Sequence, residues 1–229
     1  MGCQVQPFFF TGDVCLTRLT THSLELVPAT IARGQYDRST QPKIVHLGVG
    51  AFHRAHQADY FDRLNTIIDC PWLIVGASLR SPRAAEQLTP QAGLFLHIAR
   101  GAGGETARIN GAITSVINAF ETPSLLADAI AREGTQLVTL TITEKGYCLD
   151  SKQTNLNMDD PDVRADCENL DQPKTAIGHL VAGLAERQKR RSGAITILSP
   201  PSDWAWSYGL TKRTLYQGCI LHFRSSSRV

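Results

Sequence analysis

Charge of one sign, paired cysteines and long apolar runs are all scarce in this chain, and each shortage closes off a class of function. The formal net charge is only +2 over 229 residues, so there is no electrostatic footprint for a nucleic-acid surface or an anionic membrane. Six cysteines are present, at positions 3, 15, 70, 148, 167 and 219, but none forms a Cys-x-x-Cys pair. That spacing removes zinc-knuckle and thioredoxin-type chemistry. It is too wide, in too large a chain, for a disulfide framework, and the thiols are read as reduced in a cytoplasm. Phe8-Phe9-Phe10 is too short for a secretory core or a membrane span, and no later stretch is long and apolar enough to cross a bilayer. Met1-Gly2-Cys3 opens like a lipidation signal, but Gln6 stands where serine or threonine is wanted. His-Glu-x-x-His spacing, internal repeats and low-complexity tracts are also missing. What remains is ordinary globular composition, 42% hydrophobic and 19% charged.

Against that background one segment stands out, from Lys43 to Gln57. Ile44-Val45-His46-Leu47 is an apolar run that drives into Gly48-Val49-Gly50, and a helix-compatible stretch carrying Phe52, His53 and Arg54 follows at once. A strand that delivers its backbone into such a turn brings amide N–H groups and a helix N-terminus up to a phosphate. Ala51–Thr66 has apolar residues at helical spacing, and Trp72–Ser78 reads as a buried parallel strand. The result is a β-α-β unit, the minimum that positions a dinucleotide. The usual third glycine is replaced by His53, which predicts a looser helix–sheet contact.

Elsewhere the pattern predicts a short helix over Leu24–Ala32, a polar connector over Gly34–Pro42, and a helix from Ser81-Pro82 to about Leu88. A hairpin is expected from Leu94–Arg100 and Thr106–Ile113 around the glycines at 101–104, which lack the Lys-Ser/Thr ending of a phosphate loop. Thr122-Pro123 opens another helix, Gln136–Thr143 forms a strand, and Asp150–Pro173 reads as a surface excursion. A long helix from about Thr175 to Arg191 and a strand over Ala194–Ser199 follow. The fold class is α/β, a doubly wound, mostly parallel sheet of the Rossmann type. Residues 1–42 read as an extension and connector, 43–199 as the dinucleotide-binding domain, and 200–229 as an atypical tail.

Individual side chains leave alternatives open. The acidic residue usually expected after the second strand, on the adenosine ribose, is replaced by Ser78-Leu79-Arg80-Ser81. Arg80 suits a 2′-phosphate, which would favour NADP; alternatively it is a solvated charge and Ser78 or the backbone holds the ribose. Arg54 suits a pyrophosphate clamp. Glu144, at the end of a predicted central strand, suits a substrate hydroxyl or a proton relay; the alternative is an ion pair with Lys145 or another neighbour. His53 and His56 are read as structural, and no metal site is expected.

Taken together, Ile44 to Gln57 resembles the nucleotide-binding segment of the mannitol dehydrogenase family, the long-chain polyol dehydrogenases that include fructuronate reductase (mannonate oxidoreductase). Gly76–Ser81, Pro90–Leu94 and Val138–Tyr147 resemble the same family in the same order, and the likeness runs from about Leu24 to Ser199. It implies hydride transfer between NAD(H) and a polyol/ketose pair or a keto-sugar acid, without a metal. It implies that Gly48, Gly50, Phe52 and Arg54 line the cofactor and that Glu144 faces the substrate. Ser78 to Ser81 looks closer to the fructuronate reductase side.

Two departures qualify that resemblance. Family members are roughly twice this length, and a helical second domain supplies the lysine that acts as general acid–base on the carbinol. After Ser199 the family continues with a Cys-Asp-Asn-Leu-type turn, whereas this chain reads Pro200-Pro201-Ser202-Asp203-Trp204. The expectation is a nucleotide-binding domain cut before its partner, with a frameshifted or foreign terminus from about Pro200, and residues 1–19 similarly foreign. Little or no turnover is expected of this chain alone, and a non-catalytic dinucleotide-binding fragment is the competing reading.

Overall fold

A computed structural model of the protein describes residues 18–150, 155–199 and 220–223, with Glu144 and the last four described by backbone only. A 3-10 turn, Ser23–Leu26, opens the described chain. Strands β1 (Ala32–Arg33) and β2 (Ile44–Leu47) precede helices α1 (Ala51–Ala55) and α2 (Gln57–Leu64). Next come β3 (Ile74–Ser78), α3 (Arg83–Leu88), β4 (Phe95–Gly101), β5 (Gly104–Asn110) and β6 (Ile113–Asn118). The chain continues through α4 (Pro123–Ala131), β7 (Leu137–Leu140), a 3-10 turn at Glu144–Tyr147, and α5 (Pro161–Glu168). It closes with α6 (Ala176–Arg190), β8 (Ile195–Leu198) and β9 (Ile220–Phe223).

The main sheet runs β6-β3-β2-β7-β8-β9. Its first five strands are parallel, and β9 joins the edge antiparallel to β8. The chain enters this sheet at β2, builds outward through β3 to β6, then returns to the other side of β2 with β7 and β8. The direction of winding therefore reverses between β2 and β7, and ligands of open α/β sheets bind beyond the strand ends at such a switch point. A smaller sheet, β1-β5-β4, contains the predicted hairpin.

Both faces of the main sheet are covered, as a parallel sheet requires. Val45, Leu47, Val138, Leu140, Ile195 and Ile197 point to one side, where they pack with Leu126 and Ile130 of α4 and Leu180 of α6. Ile44, Ile74, Ile113 and Val116 point to the other, against Ala58 of α2 and Ala85 and Leu88 of α3. The side chains of Ile44, Leu47, Leu126 and Ile130 are fully buried, each stabilising the fold by roughly 1.5–3 kcal/mol. The Gly34–Pro42 connector is pinned rather than loose. Tyr36 Oη donates to Asp62 Oδ1 at 2.6 Å, and Arg38 donates to the carbonyls of Ala92, Gly111 and Ile113.

Four expectations need correction. Only one 3-10 turn forms within Leu24–Ala32, because Pro28 forces Val27 into an extended conformation (ψ 128°). The single helix expected over Ala51–Thr66 is broken at His56, whose backbone (φ −119°, ψ −81°) is not helical. The second hairpin strand stops at Asn110; Ile113 belongs to β6, a separate parallel strand that the pattern did not reveal. The excursion at 150–173 contains α5, capped by Asp160 Oδ1 accepting from the amides of Asp162 and Val163. Asp160-Pro161 repeats the pattern of Thr122-Pro123, where the helix also starts at the proline but the Thr122 side chain makes no cap hydrogen bond. The expectations for residues 1–17, and for the tail apart from Ile220–Phe223, lie outside the described residues. Among the described residues no helix is long and apolar enough to cross a membrane.

Candidate functional site: the cleft at the sheet's switch point

The end of β2 and the end of β7 meet at Gly48. Its φ of +97° favours glycine, and a Cβ there would stand 2.6 Å from the Thr141 carbonyl oxygen, so the position is closed to side chains on two grounds. Gly50 differs. Its backbone (φ −88°, ψ −178°) is open to any residue, and a Cβ would meet nothing nearer than the Gly48 oxygen at 3.9 Å. Packing within the protein therefore gives no reason for glycine at 50; the space above it is left to something else. Val49 between them is buried over Gly76 of β3, where a Cβ would collide with its Cγ2 at 2.2 Å.

The turn is held from below by a chain of buried polar groups. Gly48 O accepts from Gly50 N at 2.7 Å and from Thr141 Oγ1 at 3.0 Å, and His46 Nε2 lies 3.3 Å away. The same His46 nitrogen is 2.8 Å from Thr141 Oγ1, and Nδ1 is 2.6 Å from Thr139 Oγ1. Thr139 Oγ1 in turn lies 3.1 Å from Gln57 Oε1, which is 3.0 Å from His53 Nδ1. The rings of His46 and His53 stack at 3.4 Å between centroids, tilted by 13°. Burial drives both imidazoles toward the neutral form, His53 down to about 3 and His46 well below its ordinary value. The histidine at the third glycine's position thus replaces a bare helix–sheet contact with a ring stack.

Above the turn opens a cleft of about 700 Å³. One wall is Gly48 to Gly50 with Ser78, Leu79, Arg80 and Ser81; the other is Thr141 to Thr143, Cys148 and the start of α6, Lys174 to Ala176 with His179. Thr175 caps α6 by accepting from Gly178 N at 2.9 Å, and Asp166 Oδ2 accepts from Thr175 Oγ1 at 2.6 Å. Two buried polar atoms on the cleft residues, Ser78 Oγ and His179 Nδ1, have no hydrogen-bond partner among the described residues. Burial lowers the His179 imidazole against the opposing pull of Asp166, and burial pushes the Cys148 thiol up. No group of three or more metal-ligating side chains is found among the described residues.

Of the residues singled out from sequence, Gly48, Gly50, Ser78 and Arg80 come together on the cleft wall, Arg80 at its exposed edge. Phe52 and Arg54 are not among the lining residues. Phe52 is half-exposed and stacks on His56 at 4.4 Å, while Arg54 Nε donates back to Gly50 O at 3.4 Å. Glu144 begins the 3-10 turn beyond β7, next in sequence to the cleft residue Thr143, and its side chain lies outside the described residues.

A model of the mannitol dehydrogenase Rossmann domain matches residues 42–202. The chain belongs to the mannitol dehydrogenase family. The D-mannonate oxidoreductase of Escherichia coli K12 is 36% identical over 174 residues, which are 74% of this chain and 36% of that protein. A mannitol 2-dehydrogenase of Pyrenophora tritici-repentis is 38% identical over 160 residues, covering 68% of this chain and 28% of its own length. Among solved structures, the Pseudomonas fluorescens mannitol 2-dehydrogenase in ternary complex with NAD and D-mannitol superposes with a TM-score of 0.74 at 33% identity, over 79% of this chain and 38% of that one. The chain thus spans about a third of the length of these relatives.

Within this mannitol dehydrogenase family domain, sequence reasoning missed the whole α6 wall of the cleft. Thr175, three residues before Gly178 and at the start of an amphipathic run, carried a cap signal, but nothing local showed that the cap faces Gly48 across the sheet end. Thr139 and Thr141 gave a signal that was passed over: two hydroxyls on alternate positions of an otherwise aliphatic strand share one face, and here it is the face of His46.

Proposed function

We propose that the protein is an NAD-dependent dehydrogenase of a sugar alcohol or a keto-sugar acid, with residues 43–199 as its dinucleotide-binding domain. The observation that carries this reading is Gly50. Its backbone does not demand glycine and no neighbouring atom fills the Cβ position, so the missing side chain leaves room for a ligand to approach the main chain closely. The unpartnered Ser78 hydroxyl at the end of β3 fits the adenosine ribose, and the amide-rich turn at Gly48 to Gly50 fits the pyrophosphate. NAD would supply the hydride acceptor. The chain's own residues bind and orient it: Gly48 and Gly50 by backbone, Ser78 and Arg80 at the adenosine end, with Phe52 and Arg54 bracing the helix start.

Glu144 follows the cleft residue Thr143 in the chain, and the family resemblance gives it a role on the substrate side or in a proton relay. Hydride departure from a carbinol requires a base on the hydroxyl proton. The family resemblance assigns that base to a lysine of the helical domain, beyond the matched residues. The similarity to a mannonate oxidoreductase and to mannitol 2-dehydrogenases leaves mannonate/fructuronate and mannitol/fructose as the substrate pairs, with the Ser78 to Ser81 stretch favouring the former.

Titrating the 229-residue chain with NADH and with NADPH, followed by nicotinamide fluorescence, tests the cofactor reading. Saturable binding of NADH is the expected result, and a preference for NADPH would assign Arg80 to a 2′-phosphate. Assay with fructuronate and mannitol then separates an enzyme from a binding fragment: binding without turnover places the general base outside this chain, and failure to bind either nucleotide overturns the proposal.

A further inference from the structure

The cleft wall accounts for Gly48 and Gly50, but not for the polar chain buried beneath them. An aliphatic lining there would be the cheaper way to pack a sheet against a helix, because each buried hydroxyl or imidazole must be satisfied or costs stability. His46, His53 and Thr139 are all inaccessible to solvent, and none of them lines the cleft. They therefore act, if they act on a ligand, through something else, and the group they converge on is the Gly48 carbonyl.

We propose that His46 is a positioning residue for the dinucleotide turn: in its Nε2–H form, fixed by Thr139 on Nδ1, it donates toward Thr141 Oγ1 and Gly48 O and holds the turn in its ligand-ready shape. A neutral imidazole has one N–H, so the two sides of the ring cannot both donate. With the proton on Nδ1, the Nε2 lone pair would face the Gly48 carbonyl oxygen at 3.3 Å and would draw the Thr141 hydroxyl proton away from that oxygen. With the proton on Nε2, the ring and the Thr141 hydroxyl both point their hydrogens toward the turn; Thr139 Oγ1 at 2.6 Å then donates to Nδ1 in place of the Gln57 amide oxygen 3.1 Å away, and the Gln57 amide turns its NH2 toward Thr139 Oγ1 and His53 Nδ1. The Gly48 oxygen then receives Gly50 N–H, Thr141 Oγ–H and the edge of the His46 ring. Its peptide cannot rotate without losing all three. The His53 stack at 3.4 Å keeps the His46 ring in plane. His53 and Gln57 belong to the helices that follow the turn, so turn, helix start and the end of β7 are tied to one imidazole.

This inference rests on the cofactor reading above, and its test keeps the two apart. Two-bond 15N–1H couplings of labelled histidine report the tautomer without any ligand, and loss of one signal in His46→Phe assigns it. The unsubstituted chain is expected to show His46 as the Nε2–H form. Thr139→Val removes the hydroxyl from Nδ1 at nearly constant shape. It should shift His46 toward Nδ1–H or a mixture and weaken NADH binding about three- to tenfold. Thr139→Ser should restore both, and thermal unfolding of each variant separates loss of fold from loss of positioning. An Nδ1–H tautomer in the unsubstituted chain overturns the proposal, as does Thr139→Val with unchanged NADH affinity. A failure of the unsubstituted chain to bind NADH overturns the cofactor reading, and with it the effect on affinity, while the tautomer assignment is judged by the couplings alone.

Discussion

Two buried polar clusters, Arg187 on one face of the main sheet and His46 with its threonines on the other, lie at opposite ends of the sheet. On the α4–α6 face the strands contribute only aliphatic side chains to the core; besides Thr135 and the cleft-end group of Asp166, Thr175 and His179, this side buries Arg187, near the C-terminal end of α6 and away from the cleft. Its guanidinium donates to the carbonyls of Ile130, Arg132, Ser192, Gly193 and Ala194, at 2.7–3.0 Å. On the α1–α2 face, where α2 and its C-cap bury Asp62 and Asn65, the polar groups that the strands themselves supply sit at the cleft end: His46, Thr139 and Thr141 beneath the glycine turn. The first arrangement closes chain ends that have no strand or helix partner for their carbonyls. The second lies against the segment that must present its backbone to a ligand. Polar burial costs the same in both places, so the partners of each cluster tell its use: loop closure around Arg187, placement of the glycine turn around His46.

The largest effect that would break this contrast is expected at Arg187. Arg187→Met leaves five carbonyls without their shared donor in a buried site and should cost about 3–5 kcal/mol, read as a fall in the denaturation midpoint. Because the cage is remote from the cleft, the folded fraction should bind NADH with unchanged affinity. A specific loss of affinity would show that the two ends are not separable.

Acid reaches the other face first. The unfolded His53 imidazole takes up a proton below about pH 6.5, whereas the folded one, neutral by burial, does so only near 3. Stability from this group is therefore full above pH 6.5 and falls as the pH drops through that window. The slope approaches 1.4 kcal/mol per pH unit, or about 2 kcal/mol lost by pH 5. His46, with its pKa lowered by burial and by the neighbouring His53, adds in the same direction. Urea midpoints between pH 7.5 and 5 measure the loss, and a flat profile over that range would contradict the burial of the pair.

How much of this was legible in the sequence follows from the range of each interaction. Strand β2, the Gly48 turn, the helix start at Thr122-Pro123, and α6 are local patterns of periodicity and turn chemistry, and they read correctly. The break at His56 and the end of the hairpin at Asn110 did not, since tertiary contacts decide where those elements stop. The cleft was half legible: Gly48, Gly50, Ser78 and Arg80 sit within one β-α-β unit, so their proximity follows from chain connectivity. Thr141 meets Gly48 across 93 residues of sequence, and only the strand order brings them together.

The smallest effect on stability belongs to the position with the clearest functional consequence. Gly48→Ala must strain a φ of +97° and push a Cβ into the Thr141 carbonyl, so fold and binding fail together and the result cannot separate them. Gly50→Ala adds the same methyl group where the backbone is ordinary and the nearest atom is 3.9 Å away. As a glycine at the helix N-cap, it should cost about 0.5–1 kcal/mol when replaced by alanine, a shift of roughly one to four degrees in thermal midpoint. The methyl nevertheless occupies the space through which a pyrophosphate would reach the amides of the turn. NADH affinity should fall at least about tenfold, and equal binding by Gly50→Ala would mean that the ligand does not approach the main chain there.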